Sequence, residues 1–373
     1  MLCPRCGSQD YRIVHRDSVP YCRCKGCGKN YKATSEAVER SQIQKDLAEA
    51  RIKQKLTDAE AKYKAALNYI KQIEAERDAA LAINHSPQIG AIPLRGSHKG
   101  DAVCLAIWSD WHWGERVDLE ATNGLNEYNP EIASARANKI YQNTLKLIQK
   151  ERHSSTINHL LIGILGDMIT GILHEEQGSP GGNYLSPIEE VTEVQNSLAT
   201  GIQFLLDNGG LEKITIVCIG GNHGRLTDRM YSSTGHKYSL ENLMYWNLKR
   251  TMKDPRIEWI IPQSNICYVN VFGKTLRFFH GWEVNFNGGV GGIMIPMIKF
   301  ILRQNENIRA DYSFCGHFHT LLHNDSNRFA INGSLIGASP WSLSKGFPAE
   351  RPCQLFRVLD KQHGFTGSYP ILC

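Results

Sequence analysis

The sequence predicts an α/β fold for residues 101–373, preceded by a small zinc ribbon in residues 1–34 and a long charged helix in residues 35–85. Two C-x2-C pairs near the start predict the ribbon. A long stretch without Gly or Pro predicts the helix, and short apolar strands alternating with helical segments predict the α/β fold. The 373 residues, 42% apolar, suffice for two or three domains and exclude a collagen or a small disulfide scaffold.

The ribbon prediction depends on cysteine spacing. Cys3-x2-Cys6 is followed after 17 residues by Cys24-x2-Cys27, a spacing typical of zinc sites with two knuckles. Each tight turn aims two thiolates at one point, and two turns complete a tetrahedron. A segment of this size buries too little apolar surface to fold alone, so one structural zinc ion would supply folding energy. Cys22 is close enough to replace Cys24, and the spacing leaves that choice open.

The ribbon is also the basic part of the chain. Residues 1–34 carry seven Lys or Arg and two Asp, whereas the whole chain has a formal net charge of +5. Tyr11, Tyr21 and Tyr31 lie among these cations, a mixture that suits nucleic acid. A protein-docking role and a merely solvated surface are the alternatives.

The predicted helix has a heptad-like pattern. Residues 35–83 are rich in Ala, Lys, Glu, Gln and Arg, which favour helix. Its apolar residues recur in alternating steps of four and three, as in a coiled coil: Ile52, Leu56, Ala59, Tyr63, Ala66, Ile70 and Ile73. We expect a homodimeric coiled coil, with a spacer helix lying on the domain of residues 101–373 as the alternative. Gly and Pro residues then mark a linker over residues 86–100.

Polar motifs follow five of the predicted strands in the rest of the chain. Each motif alone is a weak signal, because a Gly-Asp pair is usually a turn and a lone His is usually structural. Their occurrence together, each after an apolar strand, indicates a metal site. The motifs are Asp110-Trp111-His112 after 103–109, Gly166-Asp167 after 160–165, Gly220-Gly221-Asn222-His223 after 214–219, His280-Gly281 after 276–279, and Gly316-His317-Phe318-His319 after 312–315.

This order of motifs resembles that of the calcineurin-like metallophosphoesterases over roughly residues 102–340. The resemblance implies a four-layer α/β/β/α sandwich with a dinuclear metal site on loops at the strand ends. It implies that Asp167 bridges the two metals and that His223 is the general acid for the leaving oxygen. The implied ligands are Asp110, His112, Asp167 and His319 for the first metal, and Asp167, Asn222, His280 and His317 for the second.

The chemistry of this ligand set agrees with the resemblance. Mixed carboxylate, amide and imidazole ligands suit Mn²⁺, Fe or Zn²⁺ better than Mg²⁺, and we expect Mn²⁺. Two cations about 3.5–4 Å apart can share a hydroxide that acts as the nucleophile. An imidazole beside them can deliver a proton to the leaving alkoxide.

Two departures from the family pattern affect the prediction. Many relatives place an acidic residue after Gly-Asn-His, but Gly224 and Arg225 stand here, so the group that orients His223 must come from elsewhere. Arg225 is a candidate for holding a substrate phosphate, with a surface salt bridge as the alternative. The Gly-Asp motif lacks the Asp-Arg-Gly of Ser/Thr protein phosphatases, which disfavours that class.

The sequence thus predicts a metal-dependent hydrolase, with a DNA nuclease similar to the SbcD-type repair nucleases as the first hypothesis. The alternative is a phosphatase or phosphodiesterase that acts on a small-molecule or protein phosphoester and uses the ribbon as a docking module. The third hypothesis is a non-catalytic scaffold in which the metals have a structural role. DNA or RNA, and exonuclease or endonuclease action, remain open. No apolar run approaches the roughly 18 residues of a membrane span, and we expect a cytoplasmic protein.

Overall fold

The chain divides into two compact units, Met1–Pro93 and Leu94–Cys373. Most of the predicted linker 86–100 lies outside the described residues, and Gly100 already begins a strand. In the described part of the chain, no helix combines the length and the apolar character that crossing a membrane requires. The computed structural model describes residues 2–81, 100–174, 181–286 and 292–373.

The first unit contains a small sheet and one long helix. Strands β1, β2 and β3 pair antiparallel in that order. The predicted long helix is confirmed as α1, and its predicted last residues, 82–85, lie outside the described residues. Thr34 precedes α1, and its Oγ1 accepts a hydrogen bond from the Ala37 amide at 3.3 Å, as expected of a helix N-cap. The bounds are β1 Tyr11–Arg16, β2 Val19–Cys24, β3 Asn30–Lys32 and α1 Ser35–Leu81.

The second unit alternates strands and helices as predicted. Its strands are β4 Gly100–Trp108, β5 Ser155–Ile164, β6 Lys213–Cys218, β7 Ile257–Ile260, β8 Ile266–Val271, β9 Lys274–Phe279, β10 Tyr312–Cys315, β11 Leu322–Asn324, β12 Phe329–Ile331, β13 Cys353–Asp360 and β14 Gly364–Leu372. Its helices are α2 Pro130–Glu151, α3 Pro187–Asn208, α4 Leu240–Thr251, α5 Met294–Asn307 and α6 Pro340–Ser344.

These strands form two sheets. The six-stranded sheet has the order β14-β13-β4-β5-β6-β7, and β4 to β7 are parallel. The five-stranded sheet has the order β11-β12-β10-β9-β8, with β9, β10 and β12 parallel. Strands β4, β5 and β6 therefore end at one edge of the first sheet, and β9 and β10 end at one edge of the second.

The two sheets pack face to face with helices outside. Alternate residues of β4 show this, because Leu105 packs in the core between the sheets whereas Trp108 packs against the helical layer. Phe278 and Phe314 meet Leu105 from the second sheet. On the outer face of that sheet, Phe279 packs with residues of α5. Period-two alternation therefore buries both faces of each sheet, and the four-layer α/β/β/α sandwich is confirmed.

The predicted strands end within one residue of the observed ends. Strands β9 and β10 stop directly before their polar motifs, and β4, β5 and β6 stop one residue earlier. The motifs therefore lie on loops at the carboxyl ends of strands, where a rigid sheet positions them.

Candidate metal centre

Side chains from all five motifs meet at one place. His280 Nε2 lies 2.9 Å from Asp167 Oδ2 and 3.1 Å from Asn222 Oδ1. Three sets of residues each bring their ligand atoms within 4.8 Å of one another, and they overlap at His112 and Asp167, so they form one continuous centre. The sets are Asp110, His112 and His319; His112, Asp167 and His223; and Asp167, His280 and His317.

The loops that carry these side chains have unusual backbone conformations. Five of the predicted ligands have a positive φ between 47° and 71°, a region that residues other than Gly enter uncommonly. Such strain is characteristic of sites where surrounding structure dictates the conformation. The five are Asp110, His112, Asp167, His317 and His319.

The glycines of the motifs allow the loops to approach closely. A Cβ at Gly221 would collide with the carboxylate of Asp167, and one at Gly316 would collide with that of Asp110. The Gly-Asn-His and Gly-His-x-His motifs therefore need glycine for a steric reason.

Asp110 is oriented by a chain of hydrogen bonds. The Asn332 amide donates to Ser109 Oγ at 2.9 Å, and Ser109 Oγ donates to Asp110 Oδ2 at 2.5 Å. The backbone amide of His317 also donates to both oxygens of Asp110, at 2.9 and 3.0 Å. Burial is the main cause that raises the pKa of Asp110 to about 7, and the neighbouring His280 opposes this rise.

The buried pair of Asp167 and His280 carries the charge of the centre. Burial by itself would raise the pKa of Asp167, but the neighbouring His280 holds it well below its usual range. Burial would lower the pKa of His280, and the Asp167 carboxylate more than offsets this and raises it to about 10. His280 Nδ1 donates to the Leu165 carbonyl at 2.5 Å, which leaves Nε2 directed at Asp167 and Asn222.

The other imidazoles fit a cation rather than a proton. Burial lowers the pKa of His317 to about 3 and that of His319 to about 4, so both rings are neutral and have a free lone pair. His112 Nε2 and His319 Nε2 face each other at 3.1 Å. Several imidazole lone pairs beside two carboxylates form a donor set that suits a divalent transition metal. The residues present therefore fit the predicted metals. The same set of ligand atoms suits Mn²⁺, Fe and Zn²⁺.

His223 is held by a group that the sequence did not reveal. Its Nδ1 donates to the Thr170 carbonyl at 2.8 Å, and its backbone amide donates to Asp167 Oδ1 at 2.8 Å. Its ring lies edge-on to that of His112, with centroids 4.5 Å apart. The Thr170 carbonyl therefore orients the His223 ring through Nδ1 and leaves Nε2 as the other ring nitrogen.

Sequence reasoning missed two further residues of the centre. His174 stacks on His223, with ring centroids 4.1 Å apart. Glu241 is fully buried and accepts hydrogen bonds from the Met168 and Gly221 amides, both at 2.6 Å. Glu241 thereby joins the Gly-Asp loop to the Gly-Asn-His loop. Neither residue belongs to a motif, and no spacing in the sequence pointed to them.

Arg225 lies beside the centre but has other partners. Its guanidinium donates to the Asn222 carbonyl through Nη1, to the Thr227 carbonyl at 3.0 Å and to the Asp228 carbonyl at 3.4 Å. The alternative salt bridge is not among the bonds that Arg225 makes to described residues, and the phosphate contact stays a prediction. The side chain holds the loop that follows Asn222 and His223.

The four predicted ribbon cysteines also come together. Cys3 Sγ lies 3.6 Å from Cys27 Sγ, and Cys6 Sγ lies 3.6 Å from Cys24 Sγ. All four sulfurs lie within 4.8 Å of one another, a four-cysteine cluster that fits zinc. Cys22 pairs with Ile13 and Tyr31 across the small sheet instead, so Cys24 is the fourth member of the cluster.

A cavity of about 620 Å³ opens over the metal centre. The residues that line the cavity include His112, Asp167, Asn222 and His223 of the metal centre. The aromatic side chain of Trp341 also lines it. A ligand set for two cations, a poised imidazole and an adjoining cavity together support a metal-dependent phosphoesterase.

Solved structures similar to this chain include three from different organisms. A conserved uncharacterised protein of Streptococcus pneumoniae, described as a predicted phosphoesterase, is 9% identical, matching 72% of this chain and 98% of its own with a TM-score of 0.28. A Vps29 double mutant from Entamoeba histolytica is 10% identical, with the same coverages and TM-score. The sulfate thiohydrolase SoxB of Thermus thermophilus is 10% identical, covering 74% of this chain and 58% of its own, with a TM-score of 0.29. No protein-family model and no curated protein matches the sequence.

Proposed function

We propose that this protein is a metal-dependent nuclease that hydrolyses phosphodiester bonds in DNA. The observation that carries the proposal is the meeting of the seven predicted ligands at one place, where five of them line one cavity and His223 lies beside them. The comparison with SbcD-type nucleases comes from the motif pattern and belongs to the same proposal.

The two halves of the ligand set would hold two divalent cations. Asp110, His112 and His319 would hold one, and Asn222, His280 and His317 the other, with Asp167 between them. We propose Mn²⁺ for both, with Fe or Zn²⁺ as the alternatives. When bound, such cations activate water and neutralise phosphate charge.

In this proposal His223 gives a proton to the leaving oxygen. The Thr170 carbonyl holds Nδ1 at 2.8 Å, so only Nε2 is available to the substrate. The hydrogen bond from the backbone amide of His223 to Asp167 Oδ1 keeps the His223 ring beside the ligands. A positioned general acid of this kind contributes about 10²–10⁴-fold to the rate.

The basic ribbon supports a polyanionic substrate. All seven Lys and Arg side chains of residues 1–34 are exposed, although Lys25 pairs with Asp10 at 2.9 Å. Exposed cations of this density attract nucleic-acid backbones, and the attraction weakens with salt. A small-molecule or protein phosphoester, with the ribbon as a docking module, is the second candidate, because the cavity is of a size that encloses a small ligand.

One assay separates these candidates. The purified chain with Mn²⁺ is given single-stranded DNA, double-stranded DNA, RNA and p-nitrophenyl phosphate side by side. We expect DNA cleavage that Asp167→Asn abolishes together with binding of both metals, and that His363→Ala leaves intact, because His363 is an exposed residue in the turn before β14. Hydrolysis of p-nitrophenyl phosphate without cleavage of DNA would favour the second candidate.

We also propose that α1 forms a coiled coil with a second copy of the chain. Ile52, Tyr63 and Ile70 are more than half exposed and follow the heptad spacing, so a partner helix would bury them. Sedimentation equilibrium should give a dimer for the parent chain and a monomer for Ile70→Asp. Asn68→Asp, which adds the same charge at an exposed position outside the apolar stripe, should remain dimeric, and a monomeric parent chain would contradict the proposal.

A further inference from the structure

Two aromatic side chains stand exposed at the wall of the catalytic cavity. Trp341 is 45% exposed and Phe347 is 44% exposed, and both line the cavity that His112, Asp167 and His223 also line. Their ring centroids are 6.0 Å apart and their planes differ by 25°. Large aromatic rings left in water beside a catalytic centre are typical of a ligand-binding surface.

The backbone below these rings is firmly held. The Leu335 amide donates to the Asp110 carbonyl at 3.0 Å, which ties this segment to the metal centre. Asn126 donates to the carbonyls of Ile336 and Ala338, at 2.8 and 2.7 Å. The aromatic pair is therefore attached to the same rigid frame as the metal ligands.

A tight turn fixes the pair itself. The Ser339 hydroxyl accepts from the Ser342 amide at 3.2 Å at the start of α6, the helix that carries Trp341. The amide of Phe347 then donates to the Ser342 carbonyl at 3.0 Å, so the chain turns back and places the two rings side by side. Because the turn orders the rings in advance, a flat ligand would bind with little further loss of entropy.

We propose that Trp341 and Phe347 form a stacking platform for a nucleobase of single-stranded nucleic acid whose backbone enters the metal centre. This inference rests on the proposed function and names its substrate class. Every base presents a flat face that stacks on an aromatic ring, and Lys345 lines the same cavity, where it suits a neighbouring phosphate. The cavity volume lies in the range of about 300–1,000 Å³ that small-molecule sites occupy.

The platform selects unpaired bases. In a duplex each base is already stacked and paired, so extracting it costs unstacking and unpairing free energy. A base in a single strand or at a frayed end reaches the platform without that cost. Trp341 and Phe347 would therefore favour single-stranded substrates or ends over intact duplex.

Binding tests the platform independently of catalysis. The full chain is titrated calorimetrically with thymidine 5′-monophosphate and with 2-deoxyribose 5-phosphate, which lacks the base. We expect the parent chain to bind the nucleotide more tightly, and Trp341→Ala to lose about tenfold or more in affinity for the nucleotide relative to the sugar phosphate. Trp341→Phe, which keeps an aromatic face, should recover most of that loss.

Trp246→Ala is the matched control. Trp246 is also 45% exposed but lies on α4 and does not line the cavity, so its removal should leave both affinities unchanged. Equal losses for both ligands in Trp341→Ala, or no loss, would overturn the inference. Uridine and 2′-deoxyuridine 5′-monophosphates, which differ only in the 2′-hydroxyl, should show the same loss, and the tighter of these two in the parent chain identifies the strand as RNA or DNA.

Cleavage of a single-stranded oligonucleotide is scored separately. A chain that binds the nucleotide through Trp341 but cuts no nucleic acid contradicts the nuclease and retains the platform. A chain that cuts the strand with equal kcat/KM before and after Trp341→Ala contradicts the platform and retains the nuclease.

Discussion

The ring of His174 stacks on the ring of His223, with centroids 4.1 Å apart and planes that differ by 27°. His174 Nε2 also faces two donors, Arg225 Nη1 at 3.4 Å and Asn222 Nδ2 at 3.5 Å. It therefore acts as an acceptor, which turns the Asn222 amide so that Oδ1 is directed at the metal centre. One side chain outside the motifs thus positions both the proposed acid and a proposed ligand.

Replacing His174 should slow the reaction without emptying the metal centre. His174→Ala removes a ring contact worth about 0.5–1.5 kcal/mol, so we expect kcat to fall about 2- to 10-fold while KM changes little. His174→Phe keeps the stacking but not the acceptor, and separates the two roles in steady-state kinetics. Recovery of kcat by Phe would assign the effect to stacking, whereas an Ala variant with parental kcat would show that His174 is dispensable.

Replacing His223 should leave the metals bound and remove proton delivery. We expect His223→Ala to retain the parental metal content, measured by elemental analysis, and to cleave phosphodiesters about 10²-fold or more slowly. His363→Ala serves as the control for loss of an imidazole elsewhere. An Ala variant that cuts as fast as the parent would exclude His223 as the acid.

Glu241 should matter for stability, because its carboxylate joins two catalytic loops. Glu241→Gln replaces one acceptor oxygen with an amide that faces a backbone N–H. The unpaired buried group should cost about 1–3 kcal/mol in the free energy of unfolding, measured by urea denaturation. Glu258→Gln is the exposed counterpart and should change stability much less, and equal effects would argue against the loop-joining role.

Zinc binding by the ribbon should depend on Cys24 and not on the nearby Cys22. Cys24→Ser removes a member of the four-sulfur cluster, so the zinc content should fall by one ion per chain and the ribbon should unfold. Cys22→Ser changes a buried thiol outside that cluster and should keep the zinc. Loss of zinc in both variants would show that Cys22 is needed for the site.

His159 should make stability depend on pH. Burial, and then Lys213, lower its pKa to about 4 in the folded chain, against about 6.5 when unfolded. The unfolded chain takes up this proton first, so the contribution to stability is complete above pH 6.5 and is lost as the pH falls towards 4. In urea titrations, His159→Gln should flatten the dependence of the free energy of unfolding on pH between about 6.5 and 4. An unchanged slope in that range would contradict the assigned role of His159.

Much of the site could be predicted from the sequence, because each motif follows a strand directly or after one residue. Asp110 and His112 follow β4, and Asp167 follows β5. An apolar strand fixes where its carboxyl end lies, and the Gly residues beside the ligands are required sterically. Local pattern was therefore enough to indicate which side chains face the centre.

The amino-acid sequence alone determined the strand ends, the donor types and the spacing of the ribbon cysteines, since these depend on neighbours along the chain. Only the tertiary structure showed that Thr170 holds His223, that Glu241 joins two loops, and that Trp341 stands at the same cavity. These contacts link loops far apart in sequence, and side-chain packing between the loops decides them rather than any local periodicity.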